Sequence, residues 1–151
     1  MNRPPSPEVR APDAIASKAS AAGVKKAALD WPVLTVLGLL AGAYIGFGGL
    51  FATLALAGAE GAMPFGAAQV LAGVVFSLGL ILVLVGGAEL FTGNTLMVVA
   101  WAEERAGLGA IAARLGLVYV ANLVGSLAGA LLAFLADSGW NFRLPRDIAV
   151  M

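Results

Sequence analysis

The chain has 151 residues, nine Lys+Arg balanced by nine Asp+Glu, no cysteine and no histidine, and 60% of it is hydrophobic at a mean hydropathy of +0.93. A soluble globule of that composition would precipitate, whereas an integral membrane protein carries it routinely, so the class is read as all-α integral membrane. Balanced charge without a basic patch excludes nucleic acid as a partner, and the missing cysteines exclude disulfides, thiolate metal sites and thiol nucleophiles.

Residues 1–30 read as an N-terminal segment outside the bilayer. Met1 to Ala11 is rich in proline and charge and is expected to be disordered. Asp13 can cap a short helix that continues to Leu29, placing Lys18, Lys25 and Lys26 against lipid headgroups; a solvated helical arm is the alternative. The polar stretch is too long, and the apolar run after it too extended, for a cleaved signal peptide. Trp31 then marks the membrane interface, and Pro32 suits the first turn of a helix.

Residues 31–137 hold three apolar runs, at about 33–59, 65–101 and 110–136. Each exceeds the roughly 20 residues needed to cross a hydrocarbon core of about 30 Å. Gly38, Gly42 and Gly46 in the first run, with Gly125 and Gly129 in the third, form small-residue ridges suited to close helix packing. Asn122 is expected to make an interhelical hydrogen bond.

The second run is broken near 87–94, where the chain reads Gly87-Ala-Glu-Leu-Phe-Thr-Gly-Asn. Glu89 is the only acidic residue in the three runs and marks a functional site; alternatively it caps the loop or pairs with a cation on another helix, and at such depth it needs a partner. Backbone groups freed by the break cannot face lipid, so the loop must line a cavity or pack on protein. A half-helix restarting near Asn94 or Thr95, either of which could be its N-cap, would turn its positive end toward an anion.

Basic residues orient the chain. Arg3, Arg10, Lys18, Lys25 and Lys26 precede the first span and Arg105 with Arg114 follow the second, giving seven on one side, against Arg143 and Arg146 on the other. The N-terminus is therefore expected to be cytoplasmic in a multi-pass protein of the inner (plasma) membrane. A tail at 138–151 carries no fourth span. Glu89 has no second titratable group beside it in the spans, and no phosphate-binding glycine loop or metal cluster is present, so no enzyme, no cofactor and no metal is expected.

Five stretches together resemble the N-terminal half of the formate/nitrite transporter family of anion channels. They are Ala22-Gly-Val-Lys-Lys-Ala, Met63-Pro-Phe-Gly, Phe76-Ser-Leu-Gly-Leu-Ile-Leu, the Glu89-Leu-Phe-Thr-Gly-Asn block and Asn122-Leu-Val-Gly. The resemblance runs from about Ala14 to Ala136. It implies half of an aquaporin-like six-helix fold built from two inverted three-helix repeats, assembled as a homopentamer with one pore per protomer. The second span would be broken by a re-entrant loop at mid-membrane formed by Glu89 to Asn94, including Gly93. Leu80, Leu90 and Phe91 would form an inner apolar constriction, Phe76 would contribute to an outer one, and Thr92 would offer its hydroxyl to the passing anion.

The activity so implied is passive or proton-linked passage of small monovalent anions such as formate or nitrite. A naked carboxylate is costly in an apolar constriction and its neutral acid is not. The family's central histidine belongs to the second repeat, in keeping with its absence here. The pattern fails after Gly139 or Trp140, and truncation is the expected origin of that ending. The alternatives are a separately encoded second-half subunit, or two copies paired in opposite orientations, against which the basic asymmetry argues. A nonconducting remnant, or a subunit needing a second half, is the competing function. The paired Asn-Pro-Ala loops of an aquaporin do not occur.

Overall fold

The computed structural model describes residues 12–59 and 61–140, including side chains over 14–59 and 61–136. The disorder expected for Met1 to Ala11 and most of the 138–151 tail lie outside the described residues. Regular structure among the described residues is helical throughout: α1 (Pro12–Ala27), α2 (Trp31–Leu56), α3 (Phe65–Val85), α4 (Phe91–Asn94), α5 (Met97–Ala102) and α6 (Leu108–Trp140). Three of these, α2, α3 and α6, are long and apolar enough to cross a membrane, as composition led us to expect.

Local chemistry fixes where the long helices begin and end. Asp30 holds extended backbone before α2, and Pro32 occupies the first turn, where its missing N–H removes a donor that would have no helical partner. α3 follows the extended Pro64 and stops at a pair of glycines. Gly87 takes φ +61°, a left-handed conformation that costs glycine little. The N–H of Ala88 then donates to the Val83 carbonyl at 3.0 Å and that of Gly87 to Leu84 at 3.4 Å. This pair of bonds is a Schellman ending, which satisfies carbonyls that helix termination would otherwise leave bare.

Packing register gives the topology. A Cβ on Gly38 would meet Ala121 at 2.8 Å, one on Gly42 would overlap Asn122, and one on Gly46 would meet Ser126 at 3.4 Å. Contact positions on α2 and α6 thus rise together, so the two helices run parallel. Against α3 the order reverses: Gly48 approaches Gly79, Tyr44 lies against Gly86, and the Glu89 N–H reaches the Leu37 carbonyl at 3.1 Å. α2 is therefore the central helix, parallel to α6 and antiparallel to α3. An up-down-up arrangement places Trp31, the end of α3 and the start of α6 at one end of the molecule.

α2 and α6 meet backbone to backbone because their contact positions are small. An added Cβ on Gly125 would come within 3.0 Å of the Ala43 nitrogen and overlap the Leu39 carbonyl. The outward faces are apolar and open, with Leu84 80%, Val85 82% and Phe134 68% exposed. Such surface suits lipid, which has no hydrogen bonds to lose against it. α1 lies across the same end as the α3 terminus and packs on α5, where a Cβ on Gly23 would sit 2.6 Å from the Leu96 carbonyl.

Candidate functional site

The segment between Gly86 and Leu90 is not helical, and Glu89 is buried within it. Its Oε2 takes two donors: the Nζ of Lys26, from the last turn of α1, and the Nδ2 of Asn94 at 2.8 Å. A carboxylate desolvated to this degree is stabilised only by such compensation. Of the partners left open for Glu89, the structure supplies a cation on another helix, Lys26. This corrects the expectation that Lys26 faces lipid headgroups: it turns inward, while Lys18 and Lys25 remain exposed. Adjacent helical residues are separated by about 100°, so one lysine can reach in while its neighbour points out.

Asn122 secures the same loop from α6. Its Nδ2 donates to the Gly38 carbonyl at 2.8 Å and to the Glu89 carbonyl at 3.1 Å, and its Oδ1 accepts the N–H of Phe91 at 2.8 Å. One amide thereby satisfies two backbone groups that the break leaves without helical partners, the Glu89 carbonyl and the Phe91 N–H, and ties them to the Gly38 carbonyl of α2. The interhelical role expected of it is observed, extended to the loop. Glu89 faces the seventh residue of α2, about 9 Å from its start and midway between the Trp31 end and the centre of that helix.

Asn94 and Thr95 do not cap the restarting helix. The helical path resumes at Phe91 with Leu90 in the capping position, and passes through Thr95 and Leu96, both near ψ −20°, into α5. Asn94 sits inside the first turn, fully buried, with its Nδ2 also donating to the Leu90 carbonyl at 2.9 Å. Burial beside Glu89 outweighs the capping preference of asparagine. Its Oδ1 has no hydrogen-bond partner among the described residues.

The remaining candidates fall into two places. Leu90 packs on a cluster of Ala41, Val83 and Ala88 with Tyr44 and Ile45, while the Phe91 ring meets Tyr119 edge-on at 5.7 Å. Thr92 is exposed and Gly93 partly so. Phe76 and Leu80 ride on α3, outside the cluster that holds Leu90; Leu80 is 43% exposed and Phe76 half-buried. Glu89, Leu90, Phe91 and Asn94 are therefore brought together by the break, and Phe76 and Leu80 are carried separately.

The profile of the formate/nitrite transporter family matches residues 13–144. The chain belongs to the formate/nitrite transporter family. It is 43% identical over 125 residues to a protein of Escherichia coli strain K12 named formate channel FocA, covering 83% of this chain and 44% of that one. It is 41% identical over 122 residues to the uncharacterized transporter YrhG of Bacillus subtilis strain 168, covering 78% and 44%. A probable formate transporter of Methanothermobacter thermautotrophicus is 42% identical over 94 residues, 61% of this chain and 34% of that one. The chain thus spans less than half the length of these relatives.

Within this family member, sequence reasoning missed a second tether near the loop. Ser20, fully buried on α1, hydrogen-bonds the Glu103 carboxylate and accepts from Arg105 Nη1 at 3.0 Å. Arg114 donates to the Leu29 carbonyl, and its guanidinium lies 5.0 Å over the Trp31 ring. The available signal was one of composition: basic residues flanking an apolar break, in a chain whose buried acid needs one of them. The relatives' names as channels and transporters fit a protein that is not an enzyme.

Proposed function

We propose that this chain supplies the first repeat of a path for small monovalent anions, formate or nitrite, across the inner membrane, with its N-terminus cytoplasmic. The observation that carries this is the neutralised break. Glu89 is spent on Lys26 and Asn94, so the loop adds no free negative charge to repel an anion, while Leu90, Phe91 and Thr92 stand at its end. Family membership and the relatives named as formate channels support the choice of cargo.

On this reading residues 86–94 form a re-entrant loop. Phe76, Leu80, Leu90 and Phe91 make apolar constrictions, Thr92 offers a hydroxyl between them, and Gly93 lies beside it on the path. Charged formate is disfavoured in such a constriction and formic acid is not, so passage couples to proton uptake. Lys18, Lys25, Lys26, Arg105 and Arg114 lie toward the end shared by α1 and the start of α6, which supports a cytoplasmic N-terminus. Pentameric assembly follows from the family resemblance alone.

A second reading is favoured by the exposure of Thr92 and Leu80. The path is walled by this chain on one side, and a second three-helix unit would complete it; without one the protein does not conduct. Formate and nitrite flux into proteoliposomes holding only this chain, across a pH gradient, separates the two. Flux above protein-free liposomes that is lost in Thr92→Ala or Phe91→Ala supports a self-sufficient pore. No flux from correctly inserted protein supports a unit that needs its second half.

A further inference from the structure

α3 carries two polar side chains, and they are treated differently. Ser77 Oγ donates to the Val74 carbonyl of its own helix at 2.6 Å. Gln69 is exposed and makes no hydrogen bond among the described residues. An unpaired carboxamide facing hydrocarbon costs several kcal/mol, so a transmembrane glutamine is retained where water or a ligand meets it.

Its angular position says which. At about 100° per residue, Gln69, Gly73, Phe76 and Leu80 fall within an arc of about 60° on α3. Ala68, Ala72, Gly79 and Val83, buried against the rest of the protein, occupy the neighbouring arc. The exposed aliphatic side chains Val70, Leu71, Val74, Leu78 and Ile81 fill the far side. A Cβ at Gly73 would meet nothing within 4 Å, so open space continues along the face from Gln69 toward Phe76. Seven residues separate the two, a rise of about 10 Å.

We propose that Gln69 lines the approach to the anion path at the Phe65 end of α3, where its two amide N–H groups are the first side-chain donors an entering anion meets. This rests on the pore reading above. A neutral amide replaces part of the anion's water shell just before the apolar constriction at Phe76. Because it carries no charge, it holds the anion weakly enough to release it onward.

The chain has no cysteine, so single cysteines can be placed without background. In reconstituted full-length protein, Gln69→Cys and Gly73→Cys are expected to react with a charged, membrane-impermeant thiol reagent at least tenfold faster than Leu71→Cys and Val74→Cys. These controls lie at nearly the same depth, so equal rates at all four positions would overturn the proposal. In flux assays, Gln69→Leu is expected to lower formate uptake at low concentration roughly fivefold, the worth of one neutral hydrogen bond, with less effect at saturation, and Gln69→Lys to raise it. An active wild type with unchanged uptake in both variants also overturns it. A wild-type chain that passes nothing yet keeps the labelling pattern counts against the transport reading and still supports a water-facing Gln69.

Discussion

Two donors from different parts of the chain meet on a single oxygen of Glu89, and the asymmetry of their surroundings makes the residues unequal. The side chain of Glu89 is 11% exposed and that of Lys26 23%. Lys26→Met leaves a buried carboxylate with only Asn94 beside it and should cost about 3 kcal/mol. Glu89→Gln leaves an ammonium that can extend toward water, and should cost less. The double variant is expected to recover most of the loss, since no charge then stays buried; thermal unfolding of the solubilised protein reads all three. Oligomer yield should fall in Glu89→Gln while anion preference holds, and the opposite pattern would place the carboxylate in the path. Asn122→Leu strands the Glu89 carbonyl and the Phe91 N–H and cuts their tie to α2, and should cost about 3 kcal/mol on the same measurement. That Glu89 needed a partner was legible from the apolar run around it. That Lys26 supplies it was not, because 63 residues separate the two and the angular setting of α1 is fixed only by its packing on α5.

Small residues decide how closely the elements approach, and the glycines of the long helices do not all serve this end. At Gly125 an added methyl group meets the backbone of α2 at Leu39 and Ala43, atoms that cannot swing aside. Gly125→Ala should therefore push α6 off α2 and cost about 2 kcal/mol. Gly116, on the same helix, has nothing within 4 Å of its missing Cβ. Gly116→Ala should be neutral or stabilising by up to about 1 kcal/mol, since alanine is the better helix former. Equal losses at both sites in a thermal unfolding series would show that helix propensity, rather than contact with α2, sets the response. The Gly38, Gly42 and Gly46 ridge was legible because spacing by four keeps residues on one helical face. The restart of the helix was misread for the converse reason. Asn94 and Thr95 have the chemistry of caps, but the hydrogen bond from Asn94 to Glu89 draws that amide into the interior and moves the helix start back to Phe91.

Three apolar runs were enough to foresee three long helices, yet their relative directions come from pairwise register that no single run contains. α2 and α6 run parallel, with Arg114 of α6 reaching the Leu29 carbonyl just before α2 and stacking on Trp31. Two basic-flanked segments distant in sequence therefore share one end of the molecule, while the turn between α2 and α3 lies at the other. If the helices cross the membrane in this arrangement, Ala28→Cys and Gly107→Cys must be modified from the same side, and Met63→Cys from the opposite one. Gly107 has open space around its Cβ position and Met63 is 38% exposed, so neither substitution disturbs packing. On the proposed orientation, with the Ala28 and Gly107 end in the cytoplasm, an impermeant thiol reagent should reach only Met63→Cys in spheroplasts. Labelling of Ala28→Cys and Gly107→Cys from outside would invert the orientation while leaving the fold intact. Labelling of those two from different sides would break the parallel pairing of α2 with α6, and with it the anchoring of the Glu89 loop by Asn122.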